Sequence, residues 1–402
     1  MALKARPTVT VIINPHGGSG RARDLYDHHC APVLRRAGVR ALVHLTTHRG
    51  HATELVAELP SLGGGLLVVG GDGLVQEVVT GLQQRTDACP PLAVAPGGSA
   101  NALAHALYGG ACQARACVAR RAAMALVHGT VRAVDLLRVD TGAAGAAPRF
   151  ALSMVGAGLA ASVADRADGL RWLPGHRHFR YELAGLLTVV GGWPKDTRCW
   201  LSYPVDGAAA APWVEREMDI LSLMAVNHAN MGKTRHIARD VALDDGRCHL
   251  TIVPNMPKRQ AVRVLGALSR GKVLQDQPGV ISLRLPEFKL RMRAGHQLNI
   301  DGDVLPARDT VHVRVLPNAV PVFWPAAVEP ECQSDCPLLA CPRPIATLPT
   351  LGGKQHEQQT EEGEQRPTSK QPATLLHATT CRMMMSAPSS SSHHRASLVT
   401  PV

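Results

Sequence analysis

Aromatic side chains are scarce: Phe, Trp and Tyr make up 3% of the 402 residues. Single-stranded nucleic acid is held on stacking rings, so this shortage argues against nucleic acid as a partner. It also leaves the core to Ala, Val and Leu. Long apolar runs are missing as well. The longest stretches, such as residues 183–193, fall well short of the roughly 20 residues of a membrane-spanning helix. Residues 1–7 are short and basic and precede only a brief strand, unlike a signal peptide. Acids are outnumbered, 32 against 43 bases, which gives a net charge of +11. Such an excess favours anionic partners, among them nucleotides and acidic membrane surfaces. The ten cysteines lack the paired spacing of a metal site. Cys332, Cys336 and Cys341 cluster without a nearby histidine, and free thiols in a cytosolic protein are the expectation. There is no internal repeat.

One stretch organises what is present. Leu66-Leu67-Val68-Val69 reads as a buried strand, and Gly70-Gly71-Asp72-Gly73 follows at once. Apolar residues then recur at 74, 75, 78, 79 and 82, the spacing of one helical face. A carboxylate therefore sits in a strand-to-helix turn whose glycines permit close approach of a ligand. The adjacent helix N-terminus favours anions.

The same grammar recurs through residue 129. Residues 9–13 form a strand, and Asn14-Pro15-His16-Gly17-Gly18-Ser19-Gly20 is a glycine-rich loop before a helix over 21–37. Residues 41–45 form a second strand, followed by the polar loop Thr46-Thr47-His48-Arg49-Gly50-His51 and a helix. Residues 91–95 form a fourth strand, and Pro96-Gly97-Gly98-Ser99-Ala100-Asn101 leads into a further helix. An Ala-rich helix over 112–127 carries Arg115, Arg120 and Arg121. Alternating strands and helices imply a parallel sheet covered on both faces. Glycine turns after three of its strands would share one edge and form a nucleotide cleft. None is a Walker loop, because no Gly-Lys-Ser/Thr ends it.

From residue 130 short strands dominate, at 131–139, 150–155, 220–227, 248–253, 280–285, 288–292, 297–300 and 311–315. Helical patterns interrupt them only over 164–187 and 259–269. This predicts a mainly antiparallel β-sandwich domain, in which Asp301-Gly302-Asp303 is read on its own as a hairpin turn. Pro, Gln, Ser, Thr and Glu dominate the tail, which is expected to be disordered. The expected division is an α/β domain over 7–129, a β-sandwich over 130–326 and a tail over 327–402.

Together these motifs make the chain resemble the diacylglycerol kinase catalytic-domain superfamily, and within it the sphingosine kinases. The most specific match is Gly71-Asp72-Gly73-Leu74 with Glu77-Val78-Val79 and Gly81-Leu82. Leu74 stands where diacylglycerol kinases usually have Thr. The resemblance implies a cleft between two domains that binds ATP with Mg²⁺ and transfers the γ-phosphate to a lipid hydroxyl. It implies Asp72 as general base. Nucleotide contacts are implied at Asn14, Pro15, His16, Gly17, Gly18, Thr46, Thr47, His48, Arg49, Gly50, Glu77, Gly98, Ser99, Ala100, Arg171, Arg177, Asp301, Gly302 and Asp303. Ala100 stands where the family has Gly, and Asp303 where it has Glu. The lipid is expected at Gly70, Gly71, Asp72, Gly73 and Asp165, with Asp168 a rival for Asp165. The implied acceptor is a sphingoid base, reached by peripheral contact with an anionic membrane surface from the cytoplasm. Ceramide and diacylglycerol are the alternative acceptors. A soluble acceptor is a further one, as in the NAD kinases, which share the Gly-Gly-Asp-Gly turn. A catalytically silent lipid- or nucleotide-binding regulator is the alternative of another class.

Read without the resemblance, Asp72 is equally a helix cap. The arginines read as a solvated helix face, and Asp165 as a member of an exposed salt bridge.

Overall fold

The computed structural model describes residues 7–109, 114–143, 145–170, 183–188, 191, 198–205, 211–229, 236–293, 296–307 and 310–326. Arg171, Arg177 and the tail expected over 327–402 lie outside them.

Strands β1 (Thr8–Ile13), β2 (Arg40–Leu45), β3 (Leu66–Gly70) and β4 (Leu92–Pro96) form a parallel sheet in the order β2-β1-β3-β4. β3 and β4 are buried along their whole length, which is why they read as continuous apolar runs rather than alternating ones. Helices α1 (Ala22–Leu25) and α2 (Ala31–Arg36) are joined through a π-wound turn at Tyr26–Cys30. They are followed by α3 (His51–Glu58), α4 (Asp72–Leu82), α5 (Ala102–Tyr108) and α6 (Arg115–His128). The inward face of α4 is Leu74, Val75, Val78, Val79 and Leu82, all buried. Gly81 lets α3 lie close, since a Cβ there would stand 2.7 Å from the Thr53 carbonyl oxygen.

The second half is built from β5 (Thr130–Asp140), β6 (Arg149–Ala151), β7 (Met154–Gly158), β8 (Arg198–Pro204), β9 (Trp213–Val226), β10 (Cys248–Pro254), β11 (Ile281–Leu285), β12 (Glu287–Met292), β13 (Gln297–Ile300), β14 (Asp303–Pro306) and β15 (Thr310–Trp324), with helices α7 (Leu159–Gly169) and α8 (Lys258–Ser269). Its pairings are antiparallel, in the order β14-β13-β7-β9-β8-β12-β15. The fold is therefore an α/β unit with a parallel sheet, followed by an antiparallel β-sandwich unit.

Two long strands join the halves. β5 and β15 pair from Thr130↔Trp324 to Asp140↔His312. Near Val322, β15 runs parallel beside β4. Val134, Leu136, Val320, Val322 and Phe323 thus belong to the α/β core, while Leu137, Val139, Val311 and Val313 belong to the sandwich core. The strand expected over 150–155 is two strands, because the chain bends at Leu152 and Ser153, whose amides turn to Asp301. Among the described cysteines, Cys30, Cys89, Cys199 and Cys248 are free, as expected. Cys117 is disulfide-bonded, against that expectation; the spacing of cysteines carries no pairing geometry. No described helix is long and apolar enough to cross a membrane.

Candidate active site

The turns after β1, β2, β3 and β4 lie at the carboxyl ends of parallel strands, so they meet on one edge. Three of them interlock by their backbones. A Cβ on Gly18 would stand 2.0 Å from the Gly97 carbonyl oxygen. One on Gly98 would stand 2.2 Å from the Gly71 Cα, and one on Gly97 2.9 Å from the Gly70 Cα. These glycines are required first by the contact of loop with loop. Gly18 additionally has φ +64°, a left-handed conformation that favours glycine. Gly73 differs: a Cβ there would meet nothing within 4 Å.

Two asparagines fix the loops. The Asn14 Oδ1 accepts from the His16 and Gly17 amides at 3.0 and 2.8 Å. Asn101, buried at φ 52°, accepts from the Gly98 amide at 2.6 Å and donates back to the Gly98 carbonyl at 3.1 Å. Pro15 and His16 lie in the turn that follows Asn14, Ser99 is half-buried and Ala100 is exposed.

The loop after β2 is closed upon itself. Thr46 is buried and its amide donates to the Ile13 carbonyl at 2.9 Å. The Thr47 amide donates to the His51 Nδ1 at 3.1 Å, His48 and His51 stack at 4.8 Å, and His48 pairs with Glu54 at 3.1 Å. Gly50, at φ +88°, opens α3. The Glu77 Oε2 accepts the Ala52 amide at 3.2 Å. It thereby occupies one of the open donors of the first turn of α3, a capping role.

Asp72 begins α4. Its Oδ1 accepts the Leu103 amide at 3.3 Å, so the third loop and α5 lean on this carboxylate. Burial raises its pKa, and the amides at the head of α5 oppose that rise. Asp72 in turn acts on Asp301, across in the sandwich. Asp301 sits in the turn between β13 and β14 at φ 48°, and its carboxylate accepts the Leu152, Ser153 and Met154 amides at 2.7 to 3.2 Å. Burial pushes its pKa up to about 7 against those amides, and the nearby Asp72 charge adds to the rise. Two carboxylates, one from each half, thus lie within electrostatic reach of one another. Gly302 follows with its amide on the Asn299 Oδ1 at 2.8 Å. Asp303 is paired with Arg49 of the second loop and lies 3.7 Å from Arg149 of β6.

Asp165 is not drawn into this group. Ala161, Ala164 and Ala167 are the buried face of α7, and Asp165 and Asp168 lie on its exposed side. α7 nevertheless packs beside β13 and β14, next to the Asp301 turn. The sequence reading gave Asn101 and Arg115 no role of their own and did not mark Arg149. An asparagine three residues after Gly98 is a recognisable side-chain turn signal; nothing in the pattern marks the two arginines.

The donor set suits a polyphosphate. The Gly18 and Ser19 amides have no acceptor among the described residues, and consecutive free amides of this kind cradle anions. No group of three His, Cys, Asp or Glu among the described residues could hold a metal alone.

An acid at a glycine-lined edge between an α/β unit and a β-sandwich defines the class: a phosphoryl-transfer enzyme with a two-part cleft. Comparison with known proteins gives the family. The model of the diacylglycerol kinase catalytic domain matches residues 8–139, and that of the YegS C-terminal NAD kinase beta sandwich-like domain matches residues 153–324. The chain belongs to the lipid kinases that combine these two domains. It is 27% identical over 354 residues to sphingosine kinase 1 of Homo sapiens, covering 79% of this chain and 90% of that protein. It is also 27% identical over 340 residues to the protein named Probable lipid kinase YegS-like of Stenotrophomonas maltophilia (strain K279a), covering 83% of this chain and 98% of that one. The crystal structure of a diacylglycerol kinase from Bacillus anthracis str. Sterne shares the fold, with TM-score 0.56, 17% identity, and coverage of 82% of this chain and all of that one. The family uses ATP and a lipid acceptor.

Proposed function

We propose that the chain transfers the γ-phosphoryl group of ATP to the primary hydroxyl of a sphingoid base. The observation that carries this reading is the Asp72 carboxylate, held at the head of α4 among three interlocked glycine loops. Its burial-raised pKa suits a general base, which works best near the operating pH. In the proposed step Asp72 takes the hydroxyl proton, the lipid oxygen bonds to the γ-phosphorus, and the bond from that phosphorus to the bridging oxygen breaks, releasing ADP. Positioning and charge neutralisation dominate such a transfer. The free amides of the first loop would hold phosphate oxygens. Mg²⁺ would neutralise phosphate charge, resting on phosphate oxygens, water and one carboxylate, Asp72 or Asp301.

The sphingoid acceptor is supported by Leu74 and by the similarity to human sphingosine kinase 1 along most of its length. Asp165 would meet the lipid amine. A second acceptor, diacylglycerol, is favoured by the match of residues 8–139 to the diacylglycerol kinase catalytic domain and by the exposed position of Asp165 on α7. The net charge of +11 would draw the protein to anionic lipid, where either acceptor resides.

The test is transfer of labelled γ-phosphate from Mg·ATP to sphingosine, dihydrosphingosine, ceramide and diacylglycerol, in mixed micelles. Label on the two sphingoid bases alone supports the reading. Label on diacylglycerol or ceramide keeps the enzyme class and moves the acceptor. No label on any lipid, from folded protein that binds ATP, overturns the lipid-kinase mechanism for this chain.

A further inference from the structure

One arginine is built into the glycine loops themselves. Arg115 is the first residue of α6. Its Nη2 donates to the Gly98 carbonyl at 2.9 Å, and its Nη1 makes a longer contact with the Ser19 Oγ at 3.4 Å. A single guanidinium therefore spans the loop after β1 and the loop after β4. The placement runs against the helix dipole, which disfavours a cation in the first turn. No acid in that turn offsets it, and no side chain caps the helix. No carboxylate among the described residues pairs with Arg115. By contrast Arg49, the one described residue of the three arginines expected at the nucleotide, is engaged by Asp303.

A guanidinium carries five N–H donors in a planar fork. The two loop contacts leave three, at the exposed mouth of loops whose Gly18 and Ser19 amides are also unpaired. We propose that Arg115 binds the terminal phosphates of the nucleotide. Two of its donors tie the Gly98 loop to the Ser19 loop, and the others, with the positive charge, meet the β- and γ-phosphate oxygens. A planar fork suits this task better than an ammonium group, because one residue holds both loops and an oxyanion at fixed geometry. The inference rests on the kinase reading above and names a residue which that reading did not assign.

The experiment compares wild type, Arg115→Gln and Arg115→Lys, each as the full chain, by direct titration with ATP and AMP and by thermal unfolding without nucleotide. Glutamine retains a donor for the Gly98 carbonyl and removes the charge. The expected result for Arg115→Gln is ATP binding weakened about tenfold or more, as for loss of a charge-assisted contact. AMP binding is expected to stay unchanged, and the apo Tm to fall only slightly, for the lost contact with Ser19. Arg115→Lys keeps the charge and loses the fork, and is expected to fall between the two in its preference for ATP over AMP. An equal loss of ATP and AMP affinity would make Arg115 only a strut between loops and overturn the proposal. So would equal ATP-over-AMP preference in the Lys and Gln variants; if Arg115→Gln fails to fold, an ATP-over-AMP preference in Arg115→Lys equal to that of wild type overturns it instead. Wild type that binds ATP and phosphorylates lipid, beside an Arg115→Gln variant that binds ATP as well, overturns this inference alone. Wild type that binds neither nucleotide overturns the kinase reading with it.

Discussion

At the residue scale the chemistry turns on two carboxylates, Asp72, raised by burial, and Asp301, raised by burial and by the Asp72 charge. Asp72→Asn keeps the acceptor for the Leu103 amide if its Oδ1 takes the same place, so the fold is expected to survive. It cannot take a proton. Lipid phosphorylation by the folded variant is expected to fall by about 10²–10⁴-fold, the usual contribution of a positioned base; circular dichroism and the transfer assay check both halves of the statement. Asp301 makes a prediction about pH. Its folded pKa of about 7 lies above the ordinary carboxylate range, so between the two the folded state holds a proton that the unfolded chain has released. Its contribution to stability is full at the acid end of that window and is lost as pH rises through about 7. Asp301→Asn removes that slope. Below about pH 7 Asp301 is already neutral, so the substitution takes no charge from the neighbourhood of Asp72 there. The acid limb of kcat/KM is therefore expected to stay in place in Asp301→Asn, and a limb that moved to lower pH would mean that Asp301 is ionised while Asp72 titrates. The variant also exchanges a carboxylate oxygen for an amide facing backbone donors, which costs about 1–3 kcal/mol.

At the scale of elements, the glycine loops separate two roles that a sequence cannot separate. The pattern of strand, glycine turn and helix was legible from periodicity alone, because β1, β3 and β4 are apolar runs and α4 shows one clean buried face. The acid at 72 was legible for the same reason. What the glycines do was not, since close approach of a ligand and close approach of another loop demand the same residue. Gly18, Gly97 and Gly98 serve the second need, and Gly73 stands in open space. Gly98→Ala is therefore expected to be destabilised by more than the roughly 1–3 kcal/mol of ordinary overpacking, because the clash is with backbone. Gly73→Ala should leave Tm within a degree or two, and any loss of transfer it shows reports on ligand space. Chemical denaturation of the two variants side by side checks the contrast; equal destabilisation would deny that the loops interlock. The sequence also missed β8, the first half of β9 and β14, where strands carry charged or mixed residues on an exposed face and no alternation stands out. Glu77 illustrates the remaining gap. Its place in the motif was visible, but its bond to the Ala52 amide joins helices 25 residues apart, and no local pattern encodes a cap supplied from another element.

At the scale of the molecule, the two halves share strands and also an ion pair. β5 and β15 each pass from one core to the other, so the halves are joined by continuous buried sheet. The pair between Arg49 and Asp303 is of another kind. It links the loop after β2 to the turn after β13, with the Arg49 side chain 73% exposed and that of Asp303 22% exposed. Exposed pairs contribute only about 0–1 kcal/mol, so it does not hold the halves together. Its position in the cleft gives it a different consequence. Removing Arg49 leaves Asp303 with Arg149 alone and frees a carboxylate beside the proposed phosphate site. Arg49→Ala is therefore expected to lower stability by less than about 1 kcal/mol, yet to raise the KM for ATP, because an acid held only by Arg149 now stands beside the phosphates. Asp303→Asn should change stability equally little and spare the KM more, since it removes the acid with the pair. A double-mutant cycle, read by denaturation and by KM(ATP), measures both terms. Large coupling in stability with none in KM would make the pair a structural tie; small coupling in stability with a clear difference in KM would identify it as part of the nucleotide cleft, closed by charge rather than by packing.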